Sequence, residues 1–217
     1  MSITFQLDGR EVTAHGGETI LQAAARAGIG IPRLCYTEGM RPDGNCRACV
    51  VEINGERVLA PSCARKPTPG MEVFSANDRA RHSQKLVLEL LLADAASSAG
   101  YRSDSELMRW ARELNVGAPR FEMRTQPAPD LSHPGIAVHL EACIQCTRCV
   151  RACREVQVND VIGYAYRGAH AFPVFDLDDP MGASTCVACG ECVQACPTGA
   201  LLPKLADHFL PFNSGRT

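Results

Sequence analysis

Residues 143–153, CIQCTRCVRAC, and 186–197, CVACGECVQACP, decide how this chain is read. Each is a C-x2-C-x2-C-x3-C run, the first formed by Cys143, Cys146, Cys149 and Cys153 and the second by Cys186, Cys189, Cys192 and Cys196, with Pro197 directly after it. Three thiolates that close together hold three corners of a cubane iron-sulfur cluster, while the start of a helix carries the fourth away to the neighbouring cluster. The expected ligand sets are therefore crossed. One 4Fe-4S cluster should take Cys143, Cys146, Cys149 and Cys196, and the other Cys153, Cys186, Cys189 and Cys192. The domain that contains them, expected over 138–204, is small for a self-sufficient core, so cluster binding should form part of its folding energy.

Working towards the N-terminus, a second cysteine block reads Cys35, Cys46, Cys49 and Cys63, or C-x10-C-x2-C-x13-C, with Cys46 and Cys49 in the loop PDGNCRAC. Four thiolates suit either a structural zinc or a 2Fe-2S cluster. A structural zinc usually knots two short CxxC knuckles, whereas here one pair and two distant singles surround a strand-strand-helix pattern, which favours 2Fe-2S. Gly44 lets the backbone turn so that amide N–H groups can face sulfur.

That pattern is legible locally. Ile3, Phe5 and Leu7 alternate with polar residues, Asp8-Gly9 supplies a tight turn, and Val12 lies on the return strand. Glu18 to Ala27 carries an apolar helical face at Ile20, Leu21, Ala24 and Ala27, with Gly28 placed to end it. Ala48 to Ile53 and Val58 to Ala60 flank Asn54-Gly55 as a second hairpin, and Met71 to Phe74 reads as a short strand. A small mixed sheet over one helix is expected for 1–77.

Residues 78–137 read as a helical connector and linker. Asn77-Asp78 can cap a helix with Leu86, Leu90 and Ala93 on one face, and Ser103 with Glu106 forms a capping box before Leu107, Trp110, Ala111 and Leu114. Gly117 with Pro119 closes that segment. Pro127, Pro129, Pro134 and Gly135 mark a linker, and 205–217 a surface tail.

Composition narrows the remaining choices. Hydrophobic residues make up 46% of the 217, charged residues 21%, and the net charge is -2, which argues against disorder and a nucleic-acid footprint. The longest apolar stretch, Leu86 to Ala96, contains Glu89 and Asp94 and is too short to cross a bilayer. The opening MSITFQLDG lacks the regions of a signal peptide, so a cytoplasmic location is expected. Twelve cysteines could form disulfides, but a reducing compartment disfavours them and nothing in disulfide pairing requires a repeated spacing.

Other candidates carry less. His139 could act as a ligand, but the cysteine sets are complete without it, and His82 reads as a surface or packing residue. Arg148, Arg151 and Arg154 flank the first run; a solvated face or docking surface is expected of them, with tuning of cluster potential as the alternative. No GxSxG, P-loop or GxGxxG motif occurs, and no cysteine is left over for nucleophilic catalysis. The chain carries no evident catalytic site, and one-electron transfer is the chemistry expected of it.

The stretches RPDGNCRACVVEINGERVLAPSC, CIQCTRCVRACREVQVNDVIGYAYRG and STCVACGECVQACPTGAL resemble the iron-sulfur module at the N-terminus of the α subunit of NAD-dependent molybdenum formate dehydrogenases. The same arrangement is known in the 75-kDa-type subunit of complex I and in the diaphorase small subunit of NAD-reducing hydrogenases. The resemblance covers about residues 1–93 and 131–204. It implies an α+β fold: a β-grasp, plant-type 2Fe-2S ferredoxin domain, a helical connector and a bacterial-type double 4Fe-4S ferredoxin domain. It also implies partners, namely a molybdenum or tungsten catalytic subunit and a flavin-NAD diaphorase subunit, with electrons relayed between them. A hydrogenase diaphorase subunit and a freely diffusing ferredoxin-like carrier are the alternatives. The iron-sulfur subunit of succinate dehydrogenase fits less well, because its opening cysteines lie closer together.

Two departures accompany the resemblance. Relatives commonly carry a further H-x3-C-x2-C-x5-C site after the helix expected at 78–93, where this chain reads ADAASSAGYRSDSEL without a cysteine, so that cluster is expected to be absent. The formate dehydrogenase subunit continues into a molybdopterin domain, so the catalytic domain is expected on a separate polypeptide.

Overall fold

The structure is a computed structural model that describes residues 2–95 and 103–207. These residues divide between two compact units, one running to Glu89 and including Trp110–Gly117, the other holding Leu90–Arg109 and the chain from Ala118 onward.

The first unit is built on a five-stranded sheet. Strands β1 (Ile3–Leu7) and β2 (Arg10–Ala14) pair antiparallel across the Asp8-Gly9 turn, where both residues have positive φ. Helix α1 (Ile20–Arg26) follows, capped by Thr19, whose hydroxyl accepts from the Gln22 N–H while the Gln22 side chain accepts from the Thr19 N–H. β3 (Val50–Ile53), β4 (Ala60–Pro61) and β5 (Glu72–Phe74) complete the strand order β2-β1-β5-β3-β4. β5 runs parallel to β1, with Gln6 opposite Glu72, and antiparallel to β3, with Ile53 opposite Val73. Ile53 is thus taken by β5, and the expected second hairpin keeps only the pairs Val50–Pro61 and Val51–Ala60. Phe5, Leu7, Val51 and Val73 meet Ile20, Leu21, Ala23 and Ala24 of α1 in the core. Burying an aliphatic or aromatic side chain of this kind is worth roughly 1.5–3 kcal/mol. Ala27, expected on that face, is exposed, and Ala23 takes its place.

Helix α2 (Asp78–Asp94) starts with Asn77, whose side-chain oxygen accepts from the Ala80 N–H at 3.0 Å. Its buried residues are Ala80, Gln84, Leu88, Glu89 and Ala93; Ala93 lies inward as expected, whereas Leu90, expected beside it, is 44% exposed. Gln84 is turned inward because its amide donates to Val50 O at 2.9 Å and Ser75 O at 3.0 Å. Helix α3 (Glu106–Glu113) is capped by Ser105 rather than Ser103, since the Ser105 hydroxyl accepts from the Met108 N–H at 3.3 Å. It is closed by Asn115, not Gly117: two residues past Glu113, Asn115 has φ 51° and the Val116 N–H returns to Ala111 O.

In the second unit, β6 (Ile136–Val138) pairs with β9 (Leu201–Pro203), and β7 (Ile162–Ala165) with β8 (Phe172–Phe175), both antiparallel. Two short helices lie between them, α4 (Arg148–Arg151), continued by a π-helical turn over Ala152–Val156, and α5 (Glu191–Ala195). Ile136, Val138, Leu140, Ile162, Phe175, Met181 and Leu201 form the core together with Cys153 and Cys192. Of the tail expected over 205–217, residues to Asp207 belong to helix α6 (Lys204–Asp207), and the remainder lies outside the described residues. Residues 96–102, within the cysteine-free stretch, also lie outside them.

Candidate metal centres

In the first unit the cysteine loops hang from the sheet and from α1. The Ile20 and Leu21 N–H groups at the start of α1 have no partners in their own helix and donate instead to Arg65 O and Ser62 O on either side of Cys63. Ser62, fully buried, donates its hydroxyl to Cys49 O at 2.7 Å. Cys63 and Cys49 are thereby fixed by backbone contacts before any metal is considered.

On the other side, Gly44 and Arg47 adopt positive φ, and the Cys35 N–H donates to Cys46 Sγ at 3.4 Å. Cys35 is held down to about 2 by the Cys46 and Cys63 thiols and by the N–H groups of Cys46 and Asn45. Cys49 falls to about 7 through Cys63, while Cys46 is pushed up by its hydrogen bond with Cys35 and by burial, and Cys63 by its hydrogen bonds with Cys35 and Cys49 and by burial. Thiols gathered this closely, with amides aimed at them, suit a centre bound through sulfur alone.

In the second unit the two runs repeat one backbone device. Gln145 and Ala188, each two residues past the first cysteine of its run, have φ 54° and 56°, and their N–H groups donate to Cys143 Sγ and Cys186 Sγ, both at 3.4 Å. Thr147 and Gly190, ahead of α4 and α5, are also left-handed. These turns fold each loop inward.

Cys143, Cys146, Cys149 and Cys196 line one cavity, closed by Leu140, Ile144, Ile162, Tyr164, Phe175 and Leu201. Burial pushes the Cys143 thiol up to about 12 and drives Cys146 and Cys149 higher, with the charge of Cys196 acting on all three in the same direction. Burial and then the charges of Cys186, Cys189 and Cys153 push Cys192 up to about 12. Cys196 thus lies among the first three cysteines of the first run, and Cys153 acts by charge on Cys192 of the second. Apolar burial of this many thiols costs too much as bare thiolates, so the donor sets fit a strongly cationic centre such as clustered iron.

Several neighbours had no sequence signal. Tyr164 lines the cavity, and burial and then the Cys143, Cys149 and Cys146 charges push its phenol up. The side-chain amide of Gln145 donates to Ala171 O. Arg148 and Arg151 are 3% and 4% exposed, which corrects the expectation of a solvated face. Arg148 donates to Glu106 at 2.9 Å and Arg151 to Cys146 O at 3.4 Å, while Arg154 alone of the three is exposed and pairs with Asp160 at 2.6 Å. His139 is buried, its N–H donating to Ala200 O at 2.7 Å, and His82 is exposed. Among the described residues no three or more His, Cys, Asp or Glu side chains gather as donors to a single metal ion.

Comparison with known proteins decides between zinc and iron-sulfur. Residues 1–78 match the family model of a 2Fe-2S iron-sulfur cluster binding domain, and residues 142–200 that of a 4Fe-4S dicluster domain. The chain belongs to the family of iron-sulfur electron-transfer proteins that join these two domains. Among solved structures it is similar to a chain of the NAD+-reducing [NiFe]-hydrogenase in the H2-reduced state, with 31% identity and a TM-score of 0.86, covering 94% of this chain and 88% of that one. The NADP-reducing hydrogenase subunit HndD of Solidesulfovibrio fructosivorans is 36% identical over 92% of this chain and 36% of its own length. A formate dehydrogenase-like protein of Staphylococcus haemolyticus is 28% identical over 90% of this chain and 20% of its own. The chain therefore spans about a third or less of these two curated relatives. No described helix is long and apolar enough to cross a membrane.

Proposed function

We propose that the chain is the electron-transfer module of an NAD-linked oxidoreductase, relaying single electrons between a molybdenum or tungsten centre that oxidises formate or reduces CO2 and a flavin-NAD diaphorase. The observation that supports the reading is that Cys196, the last cysteine of the second run, lines one cavity with Cys143, Cys146 and Cys149 of the first. In this reading Cys35, Cys46, Cys49 and Cys63 hold the 2Fe-2S cluster, Cys143, Cys146, Cys149 and Cys196 one 4Fe-4S cluster, and Cys153, Cys186, Cys189 and Cys192 the other. When bound, the clusters supply reversible one-electron chemistry. The protein's own part is to hold sulfur, exclude water around the first cubane site through Leu140, Phe175 and Leu201, and aim N–H groups at sulfur. Electrons from the catalytic partner would pass through the 4Fe-4S pair and then the 2Fe-2S cluster to the flavin, or in reverse.

The division into 1–77, 78–137, 138–204 and 205–217, the β-grasp and double-ferredoxin names for the two cluster domains, and a cytoplasmic location belong to the same reading. Support for β-grasp comes from the mixed order β2-β1-β5-β3-β4 with α1 packed against it. Purifying the complex and assaying formate-dependent NAD reduction tests the function. Activity undiminished after deletion of this chain would rule it out.

A second reading, the diaphorase small subunit of an NAD-reducing hydrogenase, is favoured by one observation: the match to the hydrogenase chain extends over 88% of that chain. Nickel in the purified complex, with no molybdopterin cofactor, would select it.

A further inference from the structure

We infer that the two cubane sites differ in potential because one repeated position carries opposite charge, Arg148 at the first site and Glu191 at the second, making the first site the stronger electron acceptor. The inference rests on the ligand sets proposed above. Arg148 immediately precedes the third cysteine of its run, Cys149, and opens α4; Glu191 immediately precedes Cys192 and opens α5. Part of the backbone contribution is matched, because Gln145 and Ala188 donate to the first sulfur of each run at the same 3.4 Å, while the second site has one further donor, the Val161 N–H on Cys153 Sγ at 3.3 Å. Side-chain charge is the larger difference between them, a full unit charge against the partial charge of one N–H. Three residues further along, Arg151 has Gln194 as its counterpart, so the imbalance is in the same direction at both places.

An electron entering either cluster adds one unit of negative charge, and the cost of that charge sets the potential. Arg148 and Arg151 are almost wholly buried, so their attraction for it is weakly screened. Arg151 donates to Cys146 O at 3.4 Å, which places a second buried cation at the first site. Three effects oppose the difference. Glu106 partners Arg148 at 2.9 Å. The Val161 N–H donates to Cys153 Sγ at the second site. Also, Cys189 is exposed, which lets water stabilise charge at the second site. The cations prevail for two reasons. The Glu106 side chain is 31% exposed against 4% for Arg148, so solvent screens the anion more than the cation. And Cys189 is only one of four thiolates at its site, with Cys153 and Cys192 buried.

The test is an EPR-monitored redox titration of the full chain with its clusters. Arg148→Gln should lower the midpoint of the higher-potential cubane, Glu106→Gln should raise that same midpoint, and Glu191→Gln should raise the midpoint of the other cubane. A purely structural role for the Arg148–Glu106 pair predicts that the first two variants, each of which breaks it, shift the midpoint in one direction. That result would overturn the inference, as would unmoved midpoints at full iron content, or Arg148→Gln acting on the lower-potential cubane. If Arg148→Gln loses iron, Glu106→Gln, which keeps the cation, decides by the sign of its shift. Failure of the ligand sets is separately visible: Cys153→Ala would then bleach the same cluster as Cys143→Ala.

Discussion

The backbone N–H of Val161 donates to Cys153 Sγ at 3.3 Å, holding the last cysteine of the first run away from its own loop and beside Cys192. The π-helical turn over Ala152–Val156 performs the displacement, since widening the helix after α4 moves Cys153 off the face that carries Cys149.

Replacement of Cys153 by Ala should therefore damage the cluster assigned to Cys186, Cys189 and Cys192 and spare the one assigned to Cys143, Cys146 and Cys149. Iron should fall from about ten atoms per chain to about six, with one 4Fe-4S EPR signal retained. Retention of both signals, or loss of the cluster beside Tyr164, would contradict the crossed arrangement.

Gln84 offers a test within the first unit. Its amide satisfies the carbonyls of Val50 and Ser75 in a fully buried position. Gln84→Leu keeps the volume and leaves both carbonyls without that donor, for an expected loss of about 2–4 kcal/mol. The midpoint of thermal bleaching of the 2Fe-2S absorbance should drop, while the 4Fe-4S signals stay unchanged at temperatures below the transition.

What could be read without the structure was what depends on near neighbours in the chain. The Asp8-Gly9 turn and α1 depend on spacings of a few residues, and both form where the sequence places them to within two residues. The insertion of β5 between β1 and β3 depends on residues such as Gln6 and Glu72 meeting across most of the first unit, which no local pattern encodes. The same holds for side chains whose burial is decided by a distant partner. Gln84 is buried because two carbonyls await it, and Arg148 because Glu106 does, so polar character alone misassigned the inner faces of α2 and α4. Ser103 and Ser105 show the same limit on a smaller scale: both are good caps, and the start of α3 at Glu106 selects Ser105.

Asp130 predicts a pH dependence. Burial raises its carboxyl, but hydrogen bonds from the Ser132 side chain and from the N–H groups of Met181 and Ser132 outweigh it, leaving the group below its ordinary value. A carboxyl depressed in the folded state contributes stability that is present above its unfolded value, about 3.9, and is lost as pH falls through the folded one. Asp130→Asn should thus lower the melting temperature of the second unit at pH 7, with the gap to the parent chain narrowing below about pH 4. A gap independent of pH from 7 to 3 would show that the charge of Asp130 is not what matters.

Gly182 marks the closest approach of two segments in the second unit. A Cβ there would lie 2.5 Å from Ser132 O and 2.6 Å from Ser132 C, both backbone atoms, and the Gly182 N–H already donates to the Ser132 hydroxyl at 2.8 Å. Neither segment can yield cheaply, because Asp130 binds the Met181 N–H at 2.7 Å and Ile136–Val138 continues into the β6–β9 pair. Gly182→Ala should cost about 1–3 kcal/mol and speed the loss of iron to a chelator, since cluster retention and folding are linked in so small a domain. Gly163→Ala is the control: nothing lies within 4 Å of its Cβ position, so it should leave both melting and iron release unchanged. Equal behaviour of the two variants would mean that the 130–132 and 181–183 segments separate freely and do not brace the cluster domain.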